Sequence, residues 1–296
     1  MYTMSLYESG DSSGDASLLK MLEGTQETVN TGSIEISQLA KLIIRGGWPA
    51  NINVDEKKSG IIPKSYIDSI LNIDMNEGEE KRRDKNKMKM LLKSLSRNES
   101  SIVGNKTILK DIEDYENEEK RLSSRDTIID YLDVLDRLHL IENQEAYGEN
   151  YRSPSRVGKS PKRHLTDPSL SCACLGLTPE KLLKDFNTFG FMFESLVERD
   201  LRIYMDYLDG HLYHFRDNVT GLEVDSILEF SDGEYAAVEI KLGYNQVEDA
   251  KKNLMKFYNN MVKKPTFMCI VFGICPAIIK DPETGIYIVP ITALKP

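Results

Sequence analysis

The chain of 296 residues carries 38 basic and 47 acidic side chains, a formal net charge of −9, with 40% apolar and 29% charged residues. That is apolar matter for packed cores in two or three domains of about 100–200 residues each, and the acid excess excludes a general electrostatic sleeve for nucleic acid, so any such contact must be local. The longest strongly apolar stretch, Thr266 to Ile279, is broken by Gly273 and Pro276 and falls short of the ~20 residues of a spanning helix.

The opening residues show neither the basic nor the apolar part of a signal peptide, so a soluble, cytoplasmic protein with no membrane partner is expected. Cys172, Cys174, Cys269 and Cys275 form no C-x-x-C pair, which favours reduced, mostly buried thiols over a zinc site.

In chain order, a Gly/Ser-rich run from Glu8 to Asp15 comes first, then an apolar periodicity that predicts a helix over Ile34 to Arg45, ended by Gly46-Gly47 with Pro49 beyond. A second helix is expected over 63–75, with Pro63 in its first turn. Lys81 to Arg97 holds eight basic residues and one acid, and Met88, Leu91, Leu92 and Leu95 at helical spacing make it a third helix. Asp111 to Glu119 then packs six acids into nine residues.

Residues 107–145 read as helix, loop, helix and strand, the outline of a winged helix-turn-helix. The helix from Ser123 carries Asp126, Asp130, Asp133 and Asp136 on its outer faces, which suits packing or docking better than reading a duplex. Arg152 to Arg163, with five basic residues, no acid and two prolines, reads as a solvated, extended basic loop.

The last third alternates element types. A helix over Phe189 to Asp206 precedes strand candidates at Leu212 to Phe215, Leu222 to Phe230 and Tyr235 to Leu242, the last two joined at Ser231-Asp232-Gly233. A helix from Gln246 to Val262, a buried strand over Thr266 to Phe272 and an edge strand over Ile286 to Ile291 interrupted by Pro290 complete an α/β order.

The sharpest chemical signal is Val224-Asp225 followed by Glu239-Ile240-Lys241. Strand alternation puts Glu239 and Lys241 on one face. If Ser231-Asp232-Gly233 is a three-residue loop with Gly233 left-handed, Phe230 pairs with Glu234 and Asp225 lands opposite Glu239; a two-residue turn sets Asp225 opposite Ile240 and needs a bulge to build the same site. Two carboxylates with room for water suit Mg²⁺, Lys241 could orient the attacking water and offset phosphate charge, and Glu194 could add a third carboxylate. V-E-I-K-L alone is also what any amphipathic strand looks like.

No phosphate-cradling loop is complete: Gly158-Lys159-Ser160 lacks the glycine that the P-loop pattern requires at Ser153, and Pro161 follows it. ATP hydrolysis by this chain alone is not expected. Only four histidines and no G-x-S-x-G are present, which disfavours a serine hydrolase.

Met4-Ser-Leu-Tyr-Glu-Ser-Gly, Arg45-Gly-Gly-Trp-Pro, Pro161-Lys-Arg-His-Leu-Thr-Asp-Pro-Ser-Leu, Phe189-Gly-Phe-Met-Phe-Glu194, Glu223-Val-Asp225 and Glu239-Ile-Lys241 together resemble a prokaryotic family of predicted AAA-type ATPases. Its C-terminal half is a domain of unknown function that combines a winged helix with a PD-(D/E)xK restriction-endonuclease-like fold. The resemblance implies an all-α N-terminal part followed by an α/β domain. It divides the chain into an ATPase-core and lid remnant over 1–60, a basic helical segment over 61–100, a winged-helix-like domain over 101–150, a basic connector over 151–185 and a nuclease-like domain over 186–296. It also implies that Walker sequences stand upstream, in a missing half or a separate ATPase partner, and that Arg45 corresponds to a nucleotide-sensing lid residue.

The expected function is therefore that of a DNA-associated protein with an Mg²⁺-dependent endonuclease-like site. Asp225 and Glu239 are its expected ligands, Lys241 and Glu194 its catalytic residues, and Lys81, Arg82, Arg83, Lys159, Lys162 and Arg163 its phosphate contacts. The alternative is a non-catalytic docking module on a degenerate nuclease fold.

Overall fold

A computed structural model describes residues 2–55, 58–72, 84–113, 125–150 and 159–296. In chain order its elements are β1 (Ala16–Ser17), α1 (Leu18–Leu22), β2 (Val29–Asn30), α2 (Ile36–Arg45), α3 (Ile61–Asn72), α4 (Lys85–Arg97), β3 (Ser101–Ile102), α5 (Asn105–Glu113), α6 (Arg125–Arg137) and β4 (Ile141–Ala146). The chain continues through β5 (Lys162–Leu165), α7 (Pro168–Leu175), α8 (Pro179–Leu182), α9 (Phe186–Tyr207), β6 (His211–Arg216), β7 (Glu223–Glu229), β8 (Tyr235–Gly243), α10 (Val247–Asn260), β9 (Phe267–Ile274), β10 (Ala277–Lys280), β11 (Tyr287–Pro290) and β12 (Leu294–Lys295). The protein is thus mixed α/β, and no helix among the described residues is long and apolar enough to cross a membrane.

Two compact units divide the chain. The first comprises residues 1–3, 40–143 and 160–195, the second residues 4–39, 144–159 and 196–296.

In the first unit α4 packs against α3, α5, α6 and α7. Its buried face is Met88, Leu91, Leu92 and Leu95, the periodicity visible in the sequence, and these meet Ile67, Ile70, Ile108, Ile128, Leu132 and Leu135. Asp84 starts the helix by accepting the Asn86 N–H at 2.7 Å, so the helix begins inside the basic run, and Lys81, Arg82 and Arg83 lie outside the described residues. The basic segment 152–163 is corrected at its end. Lys162 and Arg163 open β5, which pairs antiparallel with β3 and is buried along its length. The apolar stems of long cationic side chains allow this once their charged ends find partners. α7, absent from the sequence reading, follows from Asp167-Pro168 at its start and Gly176 at its end, where φ is 65°.

The second unit is built on one mixed sheet, with strands in the order β2, β10, β11, β9, β8, β7, β6, β4. β8, β9 and β11 run parallel to one another, while β6, β7 and β8 form an antiparallel meander. α10 crosses from β8 to β9 and lays Val247, Ala250, Leu254 and Phe257 on Ile227, Tyr235, Ala237, Ile270 and Phe272. The expected edge strand over 286–291 is instead interior. β11 lies between β9 and β10, and Pro290 is tolerated because β10 pairs only with Tyr287 and Ile288. The N-terminal run is ordered by this unit: Leu6 donates its N–H to Asp200 Oδ2 at 2.9 Å, and β1 pairs parallel with β12.

Candidate functional site

The meander β7–β8 carries the chemistry, and its turn sets the register. Phe230 N–H donates to Glu234 O at 2.8 Å and Gly233 N–H to Phe230 O at 2.9 Å, with Gly233 at φ 81°. A side chain at that φ is strained, which is why glycine serves there. The turn is the three-residue form, and the ladder runs from Glu229 opposite Tyr235 to Ser226 opposite Val238. One step further along the same register stand Asp225 and Glu239.

The other side of β7 adds what the turn alone does not. Tyr213 of β6 faces Ile227 but Phe215 faces Val224, so Asp225 and Ser226 together face His214. This bulge turns Asp225 out of the regular ladder, as bulges do where a side chain is re-aimed. The Asp225 carboxylate accepts the Ile240 N–H at 2.8 Å and the Lys241 ammonium at 3.0 Å through the same oxygen, Oδ2. Lys241 Nζ also lies 2.6 Å from Glu239 Oε2. The other Glu239 oxygen, Oε1, accepts from Asn253 Nδ2 of α10 at 2.7 Å, and that amide is 2.6 Å from Glu223 O.

Electrostatics follow from burial and like charge. Glu239 is 3% exposed, and burial, reinforced by the neighbouring Asp225 charge and opposed by Lys241, pushes its pKa up to about 7. Burial pulls the Lys241 pKa down, but the charges of Asp225 and Glu239 outweigh it and the net shift is upward. The lysine is therefore a fixed cation at neutral pH.

A divalent cation would find two hard oxygen donors here. Among the described residues no three His, Cys, Asp or Glu side chains gather closely enough to hold a metal. Asp225 and Glu239 would have to hold it with water completing the shell, which is the coordination Mg²⁺ accepts. A 2+ charge at that point would favour the ionised form of Glu239, which burial and the Asp225 charge now oppose.

Glu194 and the basic candidates have different surroundings. Glu194 belongs to the first unit, where the ammonium of Lys162 is ion-paired with it. Lys162 is 6% and Arg163 9% exposed; Arg163 donates to Asn143 Oδ1 at 3.1 Å and Asn105 Oδ1 at 2.7 Å, and burial lowers its pKa. Lys159 is half-buried and donates to Arg216 O at 2.5 Å.

Three residues of the second unit were missed in the sequence. Asn253 fixes Glu239. Glu198, one helical turn after Glu194, is fully buried and accepts from Ser226 Oγ at 3.3 Å. Gln144 donates to Asp225 O at 3.2 Å and Tyr213 O at 2.8 Å. Glu198 was the findable one, since Glu194 and Glu198 stand at i and i+4 on one helix face.

Other motifs quoted above are structural locks of the first unit. Asp167 Oδ2 accepts from Gly47 N at 2.9 Å and Thr3 Oγ1 at 2.8 Å, and Trp48 Nε1 donates to Ser169 Oγ at 2.9 Å. Gly46 sits at φ 66°, and a Cβ there would run into Asp167 and Ser169. Buried Glu99 accepts from Leu165 N at 3.2 Å, Ser195 Oγ at 2.9 Å and the Ser171 hydroxyl, with His164 Nδ1 at 3.2 Å.

Residues 36–181 match a family described as a domain of unknown function, DUF8612, and residues 189–294 match a second domain of unknown function, DUF4143. No curated protein and no solved structure matches the chain.

Proposed function

We propose that the second unit is a PD-(D/E)xK-like phosphodiester hydrolase, an Mg²⁺-dependent endonuclease-like module of a DNA-associated protein. The carrying observation is the convergence of Asp225, Glu239 and Lys241: one ammonium lies 3.0 Å from the first carboxylate and 2.6 Å from the second, at the end of the β7–β8 ladder. In this reading Asp225 and Glu239 would hold the cation, which would supply Lewis-acid polarisation of a phosphoryl oxygen. Lys241 would orient the attacking water and offset the charge developing on phosphorus. Asn253 keeps Glu239 aimed. Glu198 and Gln144 brace the bulge from Ser226 and the Asp225 carbonyl, which holds Asp225 in place.

The DUF4143 domain commonly stands C-terminal to an AAA-type ATPase, which supports an ATPase half upstream or in trans as partner. α5, α6 and β4 follow the order of a winged helix, and we assign them a packing or docking role. Phosphate contact in the first unit falls to the exposed Lys89 and Lys93, one turn apart on α4 and without a hydrogen bond or ion pair to any described residue.

The test is nicking of supercoiled plasmid and cleavage of oligonucleotides in Mg²⁺ or Mn²⁺ by the intact chain, Asp225→Asn, Glu239→Ala and Lys241→Met. Cleavage by the intact chain that falls at least about a hundredfold in each variant supports the reading; equal activity in all four, or none in any, defeats it. The second reading is a docking module on a degenerate nuclease fold. It is favoured by one observation: Asp225 and Glu239 are already bridged by Lys241, and no group of three His, Cys, Asp or Glu side chains that could hold a metal occurs among the described residues.

A further inference from the structure

Beside the carboxylates lies a cavity of about 350 Å³, lined by the turn 220–222 and by Asn253, Lys256, Asn259 and Asn260 of α10. This is the size of a small-ligand site. Its wall combines amide, hydroxyl and ammonium groups with the side chain of Leu222, and no aromatic ring is among the lining residues. The turn is preformed: Asp217 accepts from Val219 N at 3.0 Å and Thr220 Oγ1 at 2.6 Å, and Gly221 N donates to Asp217 O at 2.9 Å. Asn253 belongs to both places, lining the cavity while its amide holds Glu239.

Among the lining residues the one formal charge is the ammonium of Lys256. A helix C-terminus presents unpaired carbonyls that repel anions. Here the Lys264 ammonium takes up the carbonyls of Tyr258 at 2.7 Å, Asn259 at 3.3 Å and Met261 at 2.8 Å. That leaves Lys256, which is exposed and makes no hydrogen bond or ion pair with any described residue, as an uncommitted cation facing the cavity.

We propose that this groove binds the sugar–phosphate of a single nucleic-acid strand next to the scissile position, with Lys256 on a phosphate and the asparagine amides on sugar and phosphate oxygens. The proposal rests on the hydrolase reading of the neighbouring carboxylates and names its substrate as a single strand or a frayed end. A space of about 350 Å³ holds one nucleotide unit, which a flexible single strand can fold into and a rigid duplex presents only along its backbone. Without a stacking ring, recognition is indifferent to base identity, unlike sites that read unstacked bases on aromatic side chains.

The experiment is fluorescence anisotropy of a labelled single-stranded oligonucleotide with the full chain, in Ca²⁺ so that binding is read apart from hydrolysis. Lys256→Glu is expected to weaken binding about tenfold, and Lys256→Ala to reduce the salt slope by about 0.7. Asn260→Ala, which removes an amide and no charge, should weaken it less. Because Lys256 and Asn260 are exposed, these changes leave the fold standing, which circular dichroism checks. Unchanged affinity in Lys256→Glu, tighter binding of a blunt duplex than of the strand, or no binding by the intact chain overturns the proposal. Lys256-dependent binding without any metal-dependent cleavage ends the hydrolase reading and leaves the groove assignment standing.

Discussion

Lys241 holds together two carboxylates that repel each other, and burial, reinforced by the Asp225 charge, pushes the Glu239 pKa up to about 7. Removing the cation by Lys241→Met leaves that repulsion unopposed, so the Glu239 pKa should climb further above about 7. Carboxyl-carbon NMR titration reads this directly. Asn253→Ala removes a hydrogen bond to the charged form and should move the titration the same way by a smaller amount. A carboxyl whose folded pKa is raised favours the folded state most at low pH and loses that contribution as pH rises through its folded pKa. Stability of the intact chain should therefore fall across the window from 4.5 to about 7, and Glu239→Gln should flatten that segment of a denaturation-versus-pH curve. Cation binding, which needs the ionised form, should rise through the same window, as Mg²⁺ titration calorimetry would show.

Each unit relies on a left-handed glycine, and the two have different surroundings. Gly233, at φ 81°, closes the β7–β8 turn, and Gly233→Ala should cost about 1–2 kcal/mol, measured by chemical denaturation. Gly46→Ala should cost more, because its Cβ would also collide with Asp167 and Ser169. Equal losses at the two sites would show that the Asp167 lock yields easily. The sequence narrowed the turn to two forms, because Ser-Asp-Gly between two alternating runs has few solutions, and the Phe230–Glu234 hydrogen bond selects the three-residue one. The bulge at Asp225 was not legible in the sequence, since nothing in Glu223-Val-Asp-Ser-Ile says that β6 will supply one residue where β7 supplies two.

For the molecule as a whole, the two units carry separate cores. Leu92 and Leu254 are each about fully buried, one in the helical unit and one beneath the sheet. Leu92→Ala and Leu254→Ala should each cost about 2–5 kcal/mol. Only Leu254→Ala should also disturb the Glu239 titration, because Leu254 adjoins Asn253 on α10; a matching disturbance from Leu92→Ala would contradict the assignment of the site to the second unit alone. The net charge of −9 makes nucleic-acid contact a matter of local cations, so binding should fall steeply with salt and respond to Lys256 more than to overall charge.

The sequence by itself determined helices α3 to α6 of the first unit and the strand–helix–strand order of the second, and it narrowed the β7–β8 turn to two registers. Each of these is written in periodicities of 3.6 or 2 and in local turn chemistry, which act over a few residues. Tertiary structure alone decided that Lys162 and Arg163 turn inward, that Pro290 sits in an interior strand, that Glu198 and not Glu194 lies in the same unit as Asp225, and that Asn253 reaches Glu239. Those outcomes turn on which side chains find partners across the fold once water is excluded, and the desolvation of a charge depends on neighbours that a linear pattern does not specify.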